Sequence, residues 1–333
     1  MKTSLTRREF IQTSLIGTGA FYLSAIDACS SKSQPAQAGK SRVVIARRDS
    51  VRSTNNTLNS SVVHDLLNHA VEEFFETNPA QKIWAKLFSP ADTVGIKVNC
   101  LAGRGISTSI ELVDAIVENL VSAGVKPDKI IIWDRANDDL EKAGYQIQTG
   151  SRKVKCYGHD YAGYTTEIYE SRSIGSFLSN ILVRHCTAVI NVPIIKDHGI
   201  VGITNALKNF FGAIHNPNKY HSYLGNPYIA DVNLLPEIRN KVRLTICDAL
   251  TAQYEGGPPY MPQWSWQYNG IVVGTDMVAI DTVAWKIIEA KRTEMGFPTL
   301  KAVGREPSYI ATAADSEHRL GTNDWNKIQL VKI

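Results

Sequence analysis

Apolar positions along this chain follow two rhythms: unbroken runs, and stripes spaced at three and four residues. The run from Val43 to Ala46 is short and continuous. Residues 60–75 place Val63, Leu66, Leu67, Ala70, Val71 and Phe74 on one stripe, the period of an amphipathic helix. Residues 93–98, TVGIKV, read as a strand, and 109–123 as a helix closed by Gly124. KIIIW at 129–133 is a buried strand ending in Asp134. Runs at 188–195 and 242–247 predict two more, the second ending in Asp248. The run 270–273 leads through Gly274 and Thr275 into a helix from Asp276 to Ala290, with Asp276 suited to cap it. Strands alternating with helices, and strands made of continuous Val and Ile, predict an α/β fold: a mostly parallel sheet with flanking helices and long functional loops. Residues 144–180 and 215–235, rich in Tyr, Gly and Asn, are the long loops.

The first 38 residues stand apart from this alternation. Thr6-Arg7-Arg8-Glu9-Phe10-Ile11, followed by an apolar stretch from Leu15 to Ile26, reads as a twin-arginine export signal. That stretch is shorter than the roughly 20 residues a membrane span needs. Two ends for the leader stay open. Ala36-Gln37-Ala38 fits cleavage, and Ile26-Asp27-Ala28-Cys29 resembles a lipidation site that would tether the protein to the envelope at Cys29. The expected organisation is a leader and linker over 1–38 and a single α/β domain, in one or two lobes, over 39–333.

Charge and cysteine usage narrow the picture further. Net charge is +4, and the leader's four cations against two carboxylates carry half of it. No basic run interleaved with aromatics occurs, which argues against a nucleic-acid partner. Cys29, Cys100, Cys156, Cys186 and Cys247 have no C-x-x-C spacing, so no iron–sulfur cluster or zinc ribbon is expected. The last four could pair as disulfides or lie buried as thiols.

Ligands of open α/β sheets sit beyond the carboxyl ends of the strands, and polar side chains collect there. Lys97 and Asn99 close the 93–98 strand, Lys196-Asp197-His198 follow 188–195, and Asp248 follows 242–247. Lys97, Lys196 and Asp248 are therefore expected to converge. Gly199 and Gly202 let the backbone turn closely around a ligand. From Ile203 the spacing predicts a helix with Ile203, Leu207, Phe210 and Ile214 on its core face, and Thr204, Lys208 and His215 on a strip roughly 100° away. Lys97, Asn99, Lys196, Lys208 and Asp248 are the candidate catalytic residues. Gly199, Gly202, Thr204 and Lys208 are the candidate cofactor-binding residues. His198 and His221 are candidate metal ligands or acid/base groups. Glu255 would return a carboxylate over the sheet edge, His215 reads as surface, and Asp281 is open between surface and site.

The blocks VGIKVN, NVPIIKDHGIVGITNALKNFFGAI, CDALTAQYEGGP and GTDMVAIDTVAW resemble the bacterial family catalogued as domain of unknown function number 362. Met277 stands where that family commonly has proline, and the ferredoxin-like cysteine module of many relatives is missing. The order strand, Lys196-Asp197-His198, Gly199/Gly202, Lys208, His221 also resembles the nickel-dependent lactate racemases, although Arg104 lies in a different context from their arginine loop. That resemblance implies a divalent metal or organometallic cofactor in the site. Two functions fit the sequence: an exported enzyme acting on a small anionic or hydroxylated substrate, and a non-catalytic envelope protein that binds an anion or metal.

Overall fold

Each buried run becomes a strand because its side chains have apolar partners on both faces. In the computed structural model, which describes residues 40–333, the strands are β1 (Ser41–Arg47), β2 (Val94–Lys97), β3 (Ile130–Trp133), β4 (Lys155–Cys156), the small hairpin β5 (Tyr169–Ser171) and β6 (Ile174–Ser176), β7 (Ala188–Asn191), β8 (Ile194–His198), β9 (Gly202–Thr204), β10 (Val242–Gln253), β11 (Ser265–Trp266), β12 (Gly270–Gly274) and β13 (Ile328–Lys332). The main helices are α1 (Ser60–Phe75), α2 (Ala80–Leu87), α3 (Ile110–Ser122), α4 (Asn137–Ala143) and α5 (Met277–Glu294). The leader and Cys29 lie outside the described residues. Among those described, no helix is long and apolar enough to cross a membrane.

The main sheet runs β13-β1-β12-β10-β7-β2-β3-β4. Every neighbouring pair in that order is parallel except the two that β12 makes, with β1 and with β10. The fold is thus α/β with a mostly parallel sheet. Alternate residues of β1 serve opposite faces: Val44 and Ala46 pack with Leu66, Trp84, Leu112 and Ile116 of α1–α3, whereas Val43 and Ile45 lie in the core that holds α5 and the 201–238 segment. Burying one such aliphatic side chain is worth about 1.5–3 kcal/mol, so the sheet is held from both sides. Cys100, Cys156, Cys186 and Cys247 are free, buried thiols, the second of the two readings open for them.

Two sequence expectations fail, and both failures shape the site. The strand expected over 188–195 breaks at Val192-Pro193. Proline has no N–H for the ladder, so Val192 N donates to Lys97 O at 2.8 Å and Pro193 O accepts from Asp248 N at 2.8 Å. The chain resumes as β8, paired with the second half of β10, in which Asp248 sits mid-strand rather than at a strand end. The helix expected from Ile203 is also absent. Gly202–Thr204 instead pairs antiparallel with β8, Lys196 opposite Thr204, and only Lys208–Ala213 forms a tight helical turn. Residues 201–207 are all buried, so apolar spacing there carried no helical information, while β-branched Ile203 and Thr204 suit a strand.

Gly202 closes this hairpin with φ +89°, and a Cβ there would lie 2.3 Å from the Arg305 carbonyl oxygen. Gly304 also has positive φ, +72°, but nothing within 4 Å of a Cβ. Gly202→Ala is expected to lose about 2–4 kcal/mol of unfolding free energy in urea, from backbone strain and clash together, against about 1 kcal/mol for Gly304→Ala.

Candidate functional site

Three segments meet beyond the ends of β2 and β3: the β8–β9 hairpin, the 208–213 turn and the 217–221 loop. They enclose a cavity of about 320 Å³ lined by Lys97, Asn99, Lys196, His198, Thr204, Lys208 and His221 from the sequence-derived set. Asp134, Arg135, Asp139, Asn209 and Phe211 are among its other lining residues.

Lys97 is 1% exposed, and its ammonium is fully engaged. Nζ donates to Asp134 Oδ1 at 2.7 Å, Val98 O at 2.7 Å and Asn209 Oδ1 at 3.2 Å. Asp134 uses its other oxygen to accept from Cys100 N at 2.6 Å. Three donors meet three acceptors, so Lys97 is a structural cation in the cavity wall rather than a free substrate-binding group. Asn99 Nδ2 donates to the same Asn209 oxygen at 3.2 Å, while Asn99 Oδ1 is buried without a partner.

The other two lysines differ. Lys196, also 1% exposed, donates from Nζ to Pro258 O at 3.1 Å, which leaves two of its three N–H groups for the cavity. Burial pushes it down to about 8, with Asp134 pulling the other way. Lys208 Nζ lies 5.0 Å from the Phe211 ring centroid. Burial pushes Lys208 down to about 7, and the charges of Lys196 and Lys97 add to the push. Since Asp134 is occupied by Lys97, and Asp139 accepts from Arg135 at 3.3 Å, the cavity keeps two amines with no carboxylate of their own. Its field favours an anion.

The two imidazoles are set in opposite tautomers by the backbone. His198 Nδ1 faces the N–H groups of Ile200 at 3.2 Å and Val201 at 3.4 Å; it must accept, so the ring proton sits on Nε2. His221 Nδ1 faces Pro217 O at 3.1 Å; it must donate, leaving the Nε2 lone pair free. Burial first, then Lys208, holds both below the usual histidine range, His198 at about 2. The rings stack at 5.4 Å and 24°, and His221 meets the edge of Phe211 at 5.5 Å. A neutral donor and a neutral acceptor stand side by side.

This donor set does not fit a metal ion. Among the described residues, no group of three or more His, Cys, Asp or Glu side chains is placed to hold one. His198 presents a proton where a ligand needs a lone pair, the Lys196 ammonium repels a cation, and of the imidazole and amide groups described in the lining His221 Nε2 and Asn99 Oδ1 keep a free lone pair. Among the described residues the lining thus offers a metal few ligands beyond the expected His221, and no chemistry is routed through a metal or organometallic group.

Four further expected residues lie outside the cavity lining. Asp248 accepts from Ser109 N at 2.7 Å, Ser109 Oγ at 2.6 Å and Leu250 N at 2.9 Å; it anchors the start of α3, which corrects the catalytic expectation. Gly199 and Gly202 form the hairpin turn rather than a cofactor cradle: Gly199 N donates to Gly257 O at 2.8 Å, which sets the turn against Pro258. Glu255 is held by Arg292 and Arg305, the latter at 2.7 Å, and does not line the cavity. His215 is exposed.

Sequence reasoning missed what holds Lys208 in place. Asp281, fully buried, accepts from Ala206 N at 2.8 Å and Leu207 N at 3.3 Å. Asn233 Nδ2 donates to Leu207 O at 2.9 Å, and Asn209 Nδ2 to Asn191 Oδ1 at 2.8 Å. The only sequence signal was a string of polar residues in apolar surroundings, which does not say what each one bonds.

The family model described as Domain of unknown function (DUF362) matches residues 94–286, and the chain belongs to that family. No curated protein matches the sequence. Among solved structures, a Thermotoga maritima protein determined by a structural genomics consortium is similar at 12% identity and TM-score 0.40, covering 71% of this chain and 59% of its own. The lactate racemase apoprotein from Thermoanaerobacterium thermosaccharolyticum is similar at 12% identity and TM-score 0.36, covering 73% of this chain and 56% of its own. The chain thus spans less than two thirds of either.

Lys97→Met is expected to destabilise the protein by about 3–5 kcal/mol, because Asp134 is left buried and unpaired. Adding Asp134→Asn should return part of that loss. Urea unfolding of the single and double variants checks both.

Proposed function

We propose that the cavity is the active site of an enzyme that acts on a small organic anion, most simply a carboxylate. The observation that carries this reading is the pair of amines, Lys196 and Lys208, left without carboxylate partners beside a neutral imidazole donor and a neutral imidazole acceptor. Capture of an anion needs only the positive charge. The oppositely set rings of His198 and His221 add the means to give and take hydrogen bonds with a reacting group. Lys196 holds the carboxylate through its two free N–H groups, Asn99 and Thr204 orient polar substituents, and Phe211 excludes water from one side. At about 320 Å³ the cavity is at the small end for ligand pockets.

Binding of short carboxylates, followed by calorimetry, tests the site. Lys196→Met should weaken affinity by about 1.5–3 kcal/mol, roughly 10- to 150-fold, the worth of a hydrogen bond from a charged group. Affinity should hold below neutral pH and fall as pH rises through about 8, where Lys196 loses its proton. Unchanged affinity in the variant would place the anion elsewhere. Binding without turnover of any carboxylate tried would favour the non-catalytic envelope protein instead.

Export through the twin-arginine route belongs to the same proposal, on the strength of Arg7-Arg8 and the apolar stretch after it. That route carries proteins already folded, which suits a site assembled from segments about 160 residues apart. Replacing Arg7 and Arg8 with lysine should leave the protein in the cytoplasm on cell fractionation; normal export of the variant would refute this.

A further inference from the structure

We infer that Lys208 is a covalent catalyst, forming an imine with a carbonyl-bearing carboxylate such as a short 2-oxo acid. The inference rests on the anion site proposed above and names the substrate class for it. Four observations carry it. Lys208 makes no hydrogen bond or ion pair among the described residues, whereas Lys97 is saturated and Lys196 is bonded to Pro258 O. Its Nζ lies over Phe211, whose ring also meets His221 at 5.5 Å, so amine and imidazole share one wall. His221 Nε2 is free to accept a proton, and His198 Nε2–H is free to donate a hydrogen bond. Before Lys208, the Leu207 backbone is pinned by Asp281 and Asn233, and after it Asn209 is tied by its side chain to Asn191, which fixes the base of a side chain whose tip has no partner.

A simple anion-binding lysine needs none of this, and needs to stay charged. Burial and two neighbouring ammoniums push Lys208 to about 7 instead, so near neutral pH a large fraction is free amine, the form that attacks a carbonyl. The balance of the step follows. The Lys208 nitrogen pair bonds to the carbonyl carbon as the C=O π pair moves to oxygen, which accepts the His198 Nε2–H hydrogen bond. His221 Nε2 takes a proton from the new ammonium and returns it to that oxygen, giving a neutral carbinolamine. The nitrogen pair then forms C=N while the C–O bond breaks; hydroxide leaves and is neutralised by a proton from solvent. The product is a protonated imine and water, with Lys196 still holding the carboxylate. No oxidant or reductant is consumed.

Reductive trapping tests this. The purified protein is incubated at pH 7 with pyruvate and sodium cyanoborohydride, and the adduct is located by peptide mass spectrometry. A single saturable adduct on Lys208 is expected, competed by propionate, lost in Lys208→Arg, and formed at a rate that rises with pH through about 7. His221→Gln should slow trapping at least tenfold while leaving propionate affinity unchanged, a split that a purely structural role would not produce. If propionate binds in a Lys196-dependent way but 2-oxo acids give no adduct, or label only exposed lysines without saturation, the imine is refuted and the anion site stands. If propionate does not bind, the anion site fails and the imine fails with it.

Discussion

The geometry of the cavity depends on one buried ammonium. Lys97 leaves the end of β2 and donates to Asp134 at the end of β3 and to Asn209 in the turn beside Lys208. A lysine that is 1% exposed survives burial only when each of its donors is met, and here each is. Removing the charge would do more than empty a polar slot. Asp134, which also fixes Cys100 N, and Asn209, which also bonds Asn191, would lose a shared centre. The ends of two parallel strands and the turn over them would lose their common fixed point. The position of Lys208 is in this sense a consequence of Lys97.

That arrangement explains how the fold tolerates two amines without counter-charges. Uncompensated like charges in a closed space destabilise a protein, and natural sequences accept such local conflict mainly at functional sites. Here the conflict is relieved by titration: burial shifts Lys196 and Lys208 toward their neutral forms instead of drawing carboxylates inward. The acidic groups nearest the hairpin are committed elsewhere. Asp197 lies between Lys196 and His198 in sequence, yet it accepts from Arg305 at 3.0 Å and from Gly257 N at 3.0 Å. Period-two alternation in β8 separates it from its neighbours. A one-residue slip in β8 would bring that carboxylate into the cavity and abolish the field.

The sequence made the architecture legible where segments were either fully apolar or cleanly striped. Residues 60–75 form the expected helix to the residue, and the strand at 129–133 and the helix at 109–123 differ from expectation only at their ends. Legibility failed where everything is buried. Over 201–207 a period of 3.6 and a period of two are equally compatible with continuous burial, so spacing that predicts a helix is met as well by a hairpin. It failed again at Asp248, because a carboxylate after the run Val242–Cys247 looks the same whether the strand stops or continues to Gln253. Types of residue were readable in the site, but partners were not. Nothing local to Lys97 shows that its ammonium is spent, or that Asp281, some 70 residues beyond Lys208, holds the turn.

The reach of the family match gives these partnerships a boundary. It covers residues 94–286, and every residue that lines the cavity falls inside it. So do Asp281, Asn233 and Asn191, which hold the 206–209 turn. Outside it lie β1, β13 and α1, which extend the sheet and cover one face. Arg305, like Arg292 and Tyr309, reaches in from outside. It comes from beyond the match to bind both Asp197 and Glu255, and so ties the β8–β9 hairpin to the segment that carries Pro258. Because Lys196 donates to Pro258 O, that clamp sets the direction of the Lys196 ammonium without touching the cavity. The cavity's chemistry is thus contained in the shared segment, while the rigidity of one of its walls is supplied from outside it.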